Sequence, residues 1–241
     1  MFFIKKILFI ILLFTHKIIK QFYIFIPNSK KLNFLYYLHY LERNNEYEAF
    51  NLEKLINKKG SALDVGANFG LYTFGLTKVK NVNKIYAFEP NSDLTKNFTK
   101  NNKKIKVFNN ALSDQNGFKI LTIPIVNNIE FHGWGSLQKD KNFWPKEIVH
   151  FKKKKILCKK LDSFNFENIN FIKIDVEGHE LQVLRGGRKF FLKNRPNCLI
   201  EIKKTNLASA KIFFKNLNCD YHFIKNKTLH KSNYLFINNK I

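Results

Sequence analysis

Four ionisable residues occupy alternate positions at one point in the sequence: Lys173, Asp175, Glu177 and His179. They belong to the segment NFIKIDVEGHELQVL, residues 170–184, whose pattern is typical of a buried strand that runs into a helix. Carboxylates and imidazoles are the side chains that most often accept a proton in catalysis. The segment therefore predicts a site of acid–base chemistry at a strand-to-helix junction.

We predict different roles for these four residues. Lys173 and Asp175 lie on one face of an extended strand, and a buried lysine needs a carboxylate partner, which Asp175 or Glu201 can supply. We therefore interpret Lys173 as structural, and Asp175 and Glu177 as groups that position an acceptor or take its proton. His179 is the alternative base at the rim of the cleft, and we expect a neutral imidazole there because a helix N-terminus lowers its pKa.

Structural interpretations of the same residues remain open. Asp175 and Glu177 are also suited to helix capping and to pairing with Lys173, and His179 is compatible with an exposed helix position. Asp175, Glu177 and His179 have the donor atoms of a divalent metal site. Their tight spacing gives no complete coordination shell, so no metal is predicted.

A second candidate site is the glycine-interrupted turn in LDVGANFG, residues 63–70. Gly66 and Gly70 let the backbone turn sharply and approach a ligand closely. The dinucleotide motif GxGxxG is absent, because Asn68 stands where the second glycine would be. Asp64 instead suits a cationic ligand, such as one with an amino group or a sulfonium. The alternative is an ordinary turn that Asp64 caps.

Two more strand ends complete a predicted nucleoside site. Glu89 follows the strand-like KIYAF, at the position where nucleotide-binding α/β folds place an acid that accepts hydrogen bonds from ribose hydroxyls. Ala111 and Leu112 are small or apolar and are suited to the wall of a purine, with Ser113 or Asp114 at its edge. A surface carboxylate and a plain turn are the alternatives.

Strand-like and helix-like segments alternate along the chain, which predicts an α/β fold: a mostly parallel sheet with helices on both faces and a C-terminal antiparallel hairpin. Ligands bind such sheets at the carboxyl ends of the strands, where all the candidate residues lie. The pattern predicts one strand over residues 105–112, an added β segment over 118–126, loops over 127–150 and one helix over 178–192.

The N-terminal segment, residues 1–26, is hydrophobic and flanked by lysines, and residues 27–241 are predicted to form a single domain. Its uninterrupted apolar run, residues 7–14, is shorter than a membrane-spanning helix needs. We favour a helix on an anionic membrane surface over a short signal-anchor or a helix that covers the core. This interpretation predicts a cytoplasmic protein at the inner face of the membrane.

The net charge of +24 suits a nucleic acid or an anionic membrane. Only four of the 42 basic residues are arginines, whereas base reading and phosphate clamping favour arginine. The abundance of Lys, Asn, Ile and Phe also matches AT-rich codons, so no specific nucleic acid partner is expected. The three cysteines are far apart in sequence, which favours free thiols in a reducing compartment.

The motifs DVGAN, FEP and KIDVEGHE, together with YE, NALSDQNG and LIEI, resemble those of the FkbM-type methyltransferases, in the same order over about residues 45–203. This resemblance implies a Rossmann-like methyltransferase fold and the cofactor S-adenosylmethionine. It implies that the methionine part of the cofactor is surrounded by Asp64, Gly66, Asn68 and Gly70. It also implies that the ribose is bound by Glu89 and that the adenine is faced by Ala111, Leu112 and Ser113. The family pattern has no histidine at the position of His179.

The acceptor side is predicted from HGWGSL, residues 132–137, where Trp134 and Ser136 would contact the substrate. Trp134 is equally compatible with a place in the core. Trp144, His150 and the lysines 152–155 are interpreted as a solvated rim. The resemblance implies O-methylation of a sugar hydroxyl on a glycan or glycolipid. The alternatives are another small metabolite, a nucleic acid, a non-catalytic cofactor-binding protein and, least supported, an NAD-dependent enzyme.

Overall fold

The computed structural model describes residues 46–96, 98, 102–126, 128–138, 144–145, 148–225, 229–230 and 232–238. The strands are β1 Gly60–Val65, β2 Val82–Phe88, β3 Ile105–Phe108, β4 Ala111–Leu112, β5 Gly117–Val126, β6 Ile129–Glu130, β7 His150–Lys159, β8 Ile169–Ile174, β9 Asn197–Glu201, β10 Tyr221–Ile224 and β11 Asn233–Asn238. The α-helices are α1 Leu71–Lys78, α2 Ser92–Thr95, α3 Glu180–Gly186, α4 Arg188–Asn194 and α5 Lys204–Lys215. Short 3₁₀ helices span Tyr47–Phe50, Leu52–Lys54, His132–Trp134 and Leu161–Ser163.

The central sheet of the described chain has seven strands in the order β10-β11-β9-β8-β1-β2-β3. The strands from β9 to β3 are parallel to one another, whereas β11 is antiparallel to both β9 and β10. The predicted α/β class and the predicted C-terminal hairpin are therefore confirmed. This topology brings the carboxyl ends of β1, β2, β8 and β9 to one edge, where the candidate residues lie.

Apolar side chains on the two faces of the central sheet belong to different clusters. Ile172 of β8 packs in a cluster with Phe191 and Phe214 from α4 and α5. Phe171, on the other face, packs in a cluster with Leu76 of α1. The side chain of Lys173 is fully buried on the same face as Phe171. The sheet is thus covered on both sides, as the alternating sequence pattern predicts.

A second sheet, in the order β4-β7-β5-β6, stands beside the central one. The single strand predicted over residues 105–112 is therefore wrong: it divides into β3 and β4, which belong to different sheets. The lysines 152–155, predicted as a solvated rim, lie within β7, which pairs with β5 along its length. His150, Lys152, Lys153 and Lys155 are exposed, as predicted. Trp144 does not belong to a solvated rim, because it is 7% exposed and its Nε1 donates to the Trp134 carbonyl.

The single helix predicted over residues 178–192 is also wrong, because α3 and α4 are separate helices on either side of Gly187. The carboxylate of Asp162 accepts hydrogen bonds from the backbone N–H groups of Lys189 and Phe190, which starts the new helix. A Cβ at Gly187 would lie 2.9 Å from Leu161 Cδ2, so the two segments pack closely at this glycine.

The prediction for residues 1–26 lies outside the described residues. In the part of the chain that the structure describes, no helix has both the length and the apolar character needed to cross a bilayer. The boundaries predicted for the single domain, residues 27–241, stay a prediction.

Candidate active site

A cavity of about 360 Å³ opens at the carboxyl edge of the central sheet. Its walls come from the turn after β1, the ends of β2, β8 and β9, the start of β4, and the segment that contains the 3₁₀ helix His132–Trp134. Nine of the predicted site residues line the cavity: Gly66, Asn68, Glu89, Ala111, Leu112, Trp134, Asp175, Glu177 and His179. Four do not line it: Asp64, Gly70, Ser113 and Ser136.

The turn after β1 brings bare backbone to the cavity wall. Gly66 has φ +83°, and a Cβ there would lie 1.7 Å from the carbonyl oxygen of Asp175. Gly66 is therefore required both for its backbone conformation and for the close contact between the ends of β1 and β8. Gly70, with φ +89°, directly precedes α1 and shapes the turn, but it does not line the cavity beside the predicted site of the methionine part of the cofactor.

Glu89 is held rigidly at the end of β2. It is 7% exposed, Oε2 accepts from the backbone N–H of Asn68 at 3.0 Å, and Oε1 accepts from that of Asn91 at 2.8 Å. Burial raises the pKa of Glu89 to about 7, although both backbone hydrogen bonds act in the opposite direction. The carboxylate has further lone pairs that can accept hydrogen bonds from a pair of hydroxyl groups.

Asp64 lies one layer behind the cavity. Its side chain is 1% exposed and Oδ2 accepts a hydrogen bond from the Thr73 hydroxyl at 2.5 Å. Burial raises its pKa to about 6, against the opposing effects of Thr73 and Lys173. The predicted direct contact between Asp64 and a cationic ligand is therefore corrected: Asp64 ties β1 to α1 beneath the turn.

His179 and Ser113 form a buried pair beside Leu112. The imidazole Nε2 lies 2.9 Å from Ser113 Oγ, which itself donates to Asp114 Oδ1 at 3.1 Å. Since Ser113 donates to Asp114, His179 Nε2 carries the proton that Ser113 accepts. Ser113 is fully buried, so the prediction that it reaches a purine is corrected, and His179, at 5% exposure, is not at the rim.

The imidazole of His179 is neutral, as predicted, but for a different main reason. Burial is the largest cause and Lys119 adds to it, and together they lower the pKa of His179 to about 4. Asp114 acts in the opposite direction. The sequence analysis attributed the lowered pKa of His179 to the helix N-terminus, whereas desolvation of the imidazole ring is its largest cause.

Four carboxyl groups gather at one end of the cavity: Glu46, Asp175, Glu177 and Glu201. Burial is the largest cause that raises the pKa of Glu177 to about 9, that of Glu201 to about 8 and that of Glu46 to about 7. Asp175 raises all three further through its charge. Sequence reasoning missed Glu46, whose only signal was its place directly before the YE motif.

Lys173 lies beneath this acidic end. Its Nζ is 3.5 Å from Asp175 Oδ2 and donates to Asn233 Oδ1 at 2.8 Å. Asn233 in turn donates through Nδ2 to Glu48. Burial lowers the pKa of Lys173, but Asp175, Glu201, Glu46 and Glu48 together raise it above its ordinary value. The predicted pairing of Lys173 with Asp175 is thus present.

Glu177 reaches the cavity from a strained turn. Its φ of +49° lies in the left-handed region, which is unfavourable for a residue with a Cβ. The Ser136 hydroxyl donates to the Glu177 carbonyl at 2.6 Å, and the Gln138 side chain donates to the Gly178 carbonyl. Ser136 is 1% exposed, so its predicted substrate contact is corrected: it holds the turn that carries Glu177.

Trp134 lies in the cavity wall, where the sequence placed it. Its ring is tilted against that of Phe131 with 5.5 Å between centroids. Its carbonyl accepts from Trp144 Nε1 at 2.8 Å, which anchors the segment. His132 and Gly133 line the same wall, and neither was singled out as a site residue from the sequence.

The cavity therefore has two chemically different ends. Glu89 and the apolar Ala111 and Leu112 suit a nucleoside, while the carboxyl end suits a group that loses a proton. The Oδ1 of Asn68 is buried without a hydrogen-bond partner among the described residues, and it is available to a donor on a ligand in the turn. Over the same part of the chain, no three His, Cys, Asp or Glu side chains are grouped as metal ligands.

Comparison with known protein families decides the kind of nucleoside. The model of the methyltransferase FkbM domain matches residues 64–223 of the 241-residue chain. The chain belongs to the FkbM methyltransferase family. The resemblance seen in the sequence is thus confirmed, and with it the cofactor S-adenosylmethionine. The cavity fits this cofactor: Glu89 would hold the ribose, Ala111 and Leu112 the adenine, and Gly66 and Asn68 the methionine part.

One solved structure shares the fold of this chain at low sequence identity, and a second is similar to this chain over more of its length. A methyltransferase FkbM from Methylobacillus flagellatus KT is 18% identical, with a TM-score of 0.51 over 74% of this chain and 43% of that one. This chain thus spans less than half of that protein. A putative S-adenosyl-L-methionine-dependent methyltransferase from Methanococcus maripaludis is 12% identical, with a TM-score of 0.46 over 88% and 93% of the two chains. No curated protein matches the chain significantly.

Proposed function

We propose that this protein transfers a methyl group from S-adenosylmethionine to a hydroxyl group, and that the hydroxyl belongs to a sugar of a glycan or glycolipid. The observation that carries the proposal is the carboxyl end of the cavity, where Asp175 is paired with the buried Lys173 in the same cavity as Glu89, Ala111 and Leu112. A hydroxyl acceptor needs a base for its proton, which this end supplies.

Asp175 is the proton acceptor in this proposal. Its side chain is 24% exposed and lines the cavity, and the ion pair with Lys173 fixes its orientation. The cofactor supplies an electrophilic methyl carbon bound to a sulfonium. Asp175 would take the proton of the acceptor hydroxyl, whose oxygen would receive the methyl group that the bound cofactor supplies, with the cofactor released as S-adenosylhomocysteine.

Glu177 has a different role, because burial and the neighbouring carboxylates raise its pKa to about 9. At neutral pH it is a carboxylic acid, which donates a hydrogen bond. We assign it to the acceptor as a positioning group, and alignment of the reacting atoms contributes strongly to such displacements. His179 is hydrogen-bonded to Ser113, next to the residues suited to adenine, and is therefore a weaker candidate for the base.

A sugar suits the cavity wall that contains the 3₁₀ helix His132–Trp134. The aromatic face of Trp134 can pack on the C–H surface of a pyranose, and His132 and the backbone at Gly133 offer polar groups to its hydroxyls. Glu46 and Glu201 add two carboxyl groups that can hydrogen-bond further hydroxyls. An acceptor with several hydroxyl groups can form hydrogen bonds with more of these side chains than an acceptor with a single polar group.

The test is transfer of labelled methyl groups from S-adenosylmethionine to a panel of glycolipids, free glycans, small amines and RNA. We expect label in an alkali-stable methyl ether on a sugar. Asp175→Asn should lower kcat by about 10²–10⁴-fold while S-adenosylhomocysteine binds as before. Asp220→Asn, at an exposed carboxylate directly before β10 that does not line the cavity, is the matched control. Label only in amines or RNA would overturn the proposed acceptor.

A further inference from the structure

The outward face of β5 and β7 exposes three large apolar side chains. Phe118, Ile120 and Leu157 are 65%, 49% and 36% exposed. Phe118 lies opposite Leu157 in the β-ladder, and Ile120 lies opposite Lys155, so the apolar groups adjoin one another. Contiguous exposed apolar side chains of this kind mark a surface that meets a partner.

Lysines lie among these apolar groups. Lys153 and Lys155 are exposed on the same face of β7, and Lys155 Nζ lies 4.7 Å from the centre of the Phe118 ring. Lys152 and Lys154, on the opposite face of β7, form ion pairs with carboxylates, whereas neither Lys153 nor Lys155 has a carboxylate partner among the described residues. The outward face therefore combines apolar side chains with two lysines whose charge no described carboxylate neutralises.

We propose that this surface, formed by Phe118, Ile120, Lys153, Lys155 and Leu157 and called the β5–β7 face, docks on an anionic lipid bilayer. Its apolar side chains enter the boundary between headgroups and acyl chains, and its lysines neutralise lipid phosphates. The aliphatic stems of the lysines extend the apolar surface while their ammonium groups reach the headgroups.

Docking in this way brings the cavity close to the bilayer. The opposite side of β5 carries Leu121 and Ile123, which line the cavity, so one sheet separates the cavity from the β5–β7 face. The inference does not depend on the nature of the acceptor. It concerns where the protein works, and it holds or fails independently of the methyl-transfer chemistry.

Other occupants fit the face less well. Nucleic acid recognition favours arginine and stacked aromatic rings, whereas this face offers lysines, two aliphatic side chains and one ring. A second copy of the chain carries a net charge of +24 and would be repelled. The lipid surface alone matches both the apolar groups and the sign of the charge.

The experiment measures binding of the full chain to vesicles of phosphatidylcholine, with and without phosphatidylglycerol. We expect binding to the mixed vesicles that weakens as salt is added. Ile120→Gln with Lys155→Gln should weaken it about tenfold, because each lysine near an anionic surface contributes roughly a fivefold effect and the isoleucine adds its buried area.

Ile212→Gln with Lys215→Gln is the matched control, since it removes one exposed isoleucine and one exposed lysine from α5. The proposal is wrong if the two double variants bind vesicles equally. It is also wrong if duplex DNA or RNA binds through the β5–β7 face and vesicles do not. A lower melting temperature with unchanged vesicle binding would mean that the chain's own residues cover the face, which also overturns it.

Discussion

Lys173 and Asp175, two positions apart at the end of β8, form an ion pair of 3.5 Å in which the lysine is fully buried and the aspartate lines the cavity. The lysine faces away from solvent, and Asn233 holds its ammonium from the other side at 2.8 Å. The pair therefore connects the folding of the C-terminal hairpin to the orientation of the proposed base.

Replacement of Lys173 by methionine should destabilise the protein by about 3–5 kcal/mol, because Asp175 would lose its buried partner. Urea unfolding followed by circular dichroism measures this. Lys193→Met is the control: its ion pair with Glu167 at 2.9 Å is largely exposed, and such pairs contribute about 0–1 kcal/mol. Equal effects of the two substitutions would contradict a structural role for Lys173.

The pKa of Glu177 predicts how stability depends on pH. In the unfolded chain the carboxyl loses its proton above its ordinary pKa of 4.5, whereas the folded protein keeps it until about pH 9. The folded state binds more protons between these values, so the contribution of Glu177 to stability is lost progressively as pH rises through that window.

Glu177→Gln should remove this part of the pH dependence. Relative to the original protein, the variant should gain stability between pH 5 and pH 9, as measured by unfolding free energies across that range. Glu167→Gln, at an exposed carboxylate, should show no such gain. A difference between variant and original protein that stays constant with pH would show that Glu177 is ionised in the folded state.

Ser136→Ala should affect catalysis through the turn at Glu177. The substitution removes the hydroxyl that donates to the Glu177 carbonyl at 2.6 Å and costs about 1–3 kcal/mol of stability. We expect a higher KM for the acceptor and unchanged affinity for S-adenosylhomocysteine. Ser163→Ala is the control, because Ser163 is exposed and remote from the cavity. Loss of cofactor affinity in Ser136→Ala would contradict this positioning role.

His179→Gln should lower kcat less than tenfold, because the imidazole bonds to Ser113 at 2.9 Å instead of facing an acceptor. Glutamine can donate to the same hydroxyl. Initial rates of methyl transfer, compared with those of Asp175→Asn, measure the difference. A loss as large as that of Asp175→Asn would make His179 the base.

The sequence was sufficient for the parts of the site that sit at strand ends. Glu89 and Asp175 follow recognisable buried strands, and a parallel sheet brings such ends together whatever the loops do. It also predicted the pairing of Lys173 with Asp175, because alternation along a strand fixes which side chains share a face.

The remaining parts depend on contacts between distant segments. Ser136 meets Glu177 and Ser113 meets His179 only after folding, so polar residues that looked available to a ligand are instead used internally. The four lysines at 152–155 show no alternation of apolar and polar residues that would indicate a strand. This segment is a strand because it pairs with β5. Glu46 enters the cavity from outside any predicted strand end.

The central claim is that the cavity binds S-adenosylmethionine through Glu89, and calorimetry with S-adenosylhomocysteine tests it most directly. Glu89→Gln should weaken binding about 100-fold, since two hydrogen bonds to a charged acceptor would be replaced by weaker ones. Glu167→Gln is the control.

The pH dependence of the same titration adds a second criterion. The pKa of Glu89 is about 7 in the free protein, and ribose binding needs the ionised form, so affinity should fall as pH drops below 7. This dependence should disappear in Glu89→Gln. Tight binding to the original protein at pH 8, with both effects, is the predicted result; no binding, or equal binding by Glu89→Gln, would contradict the account.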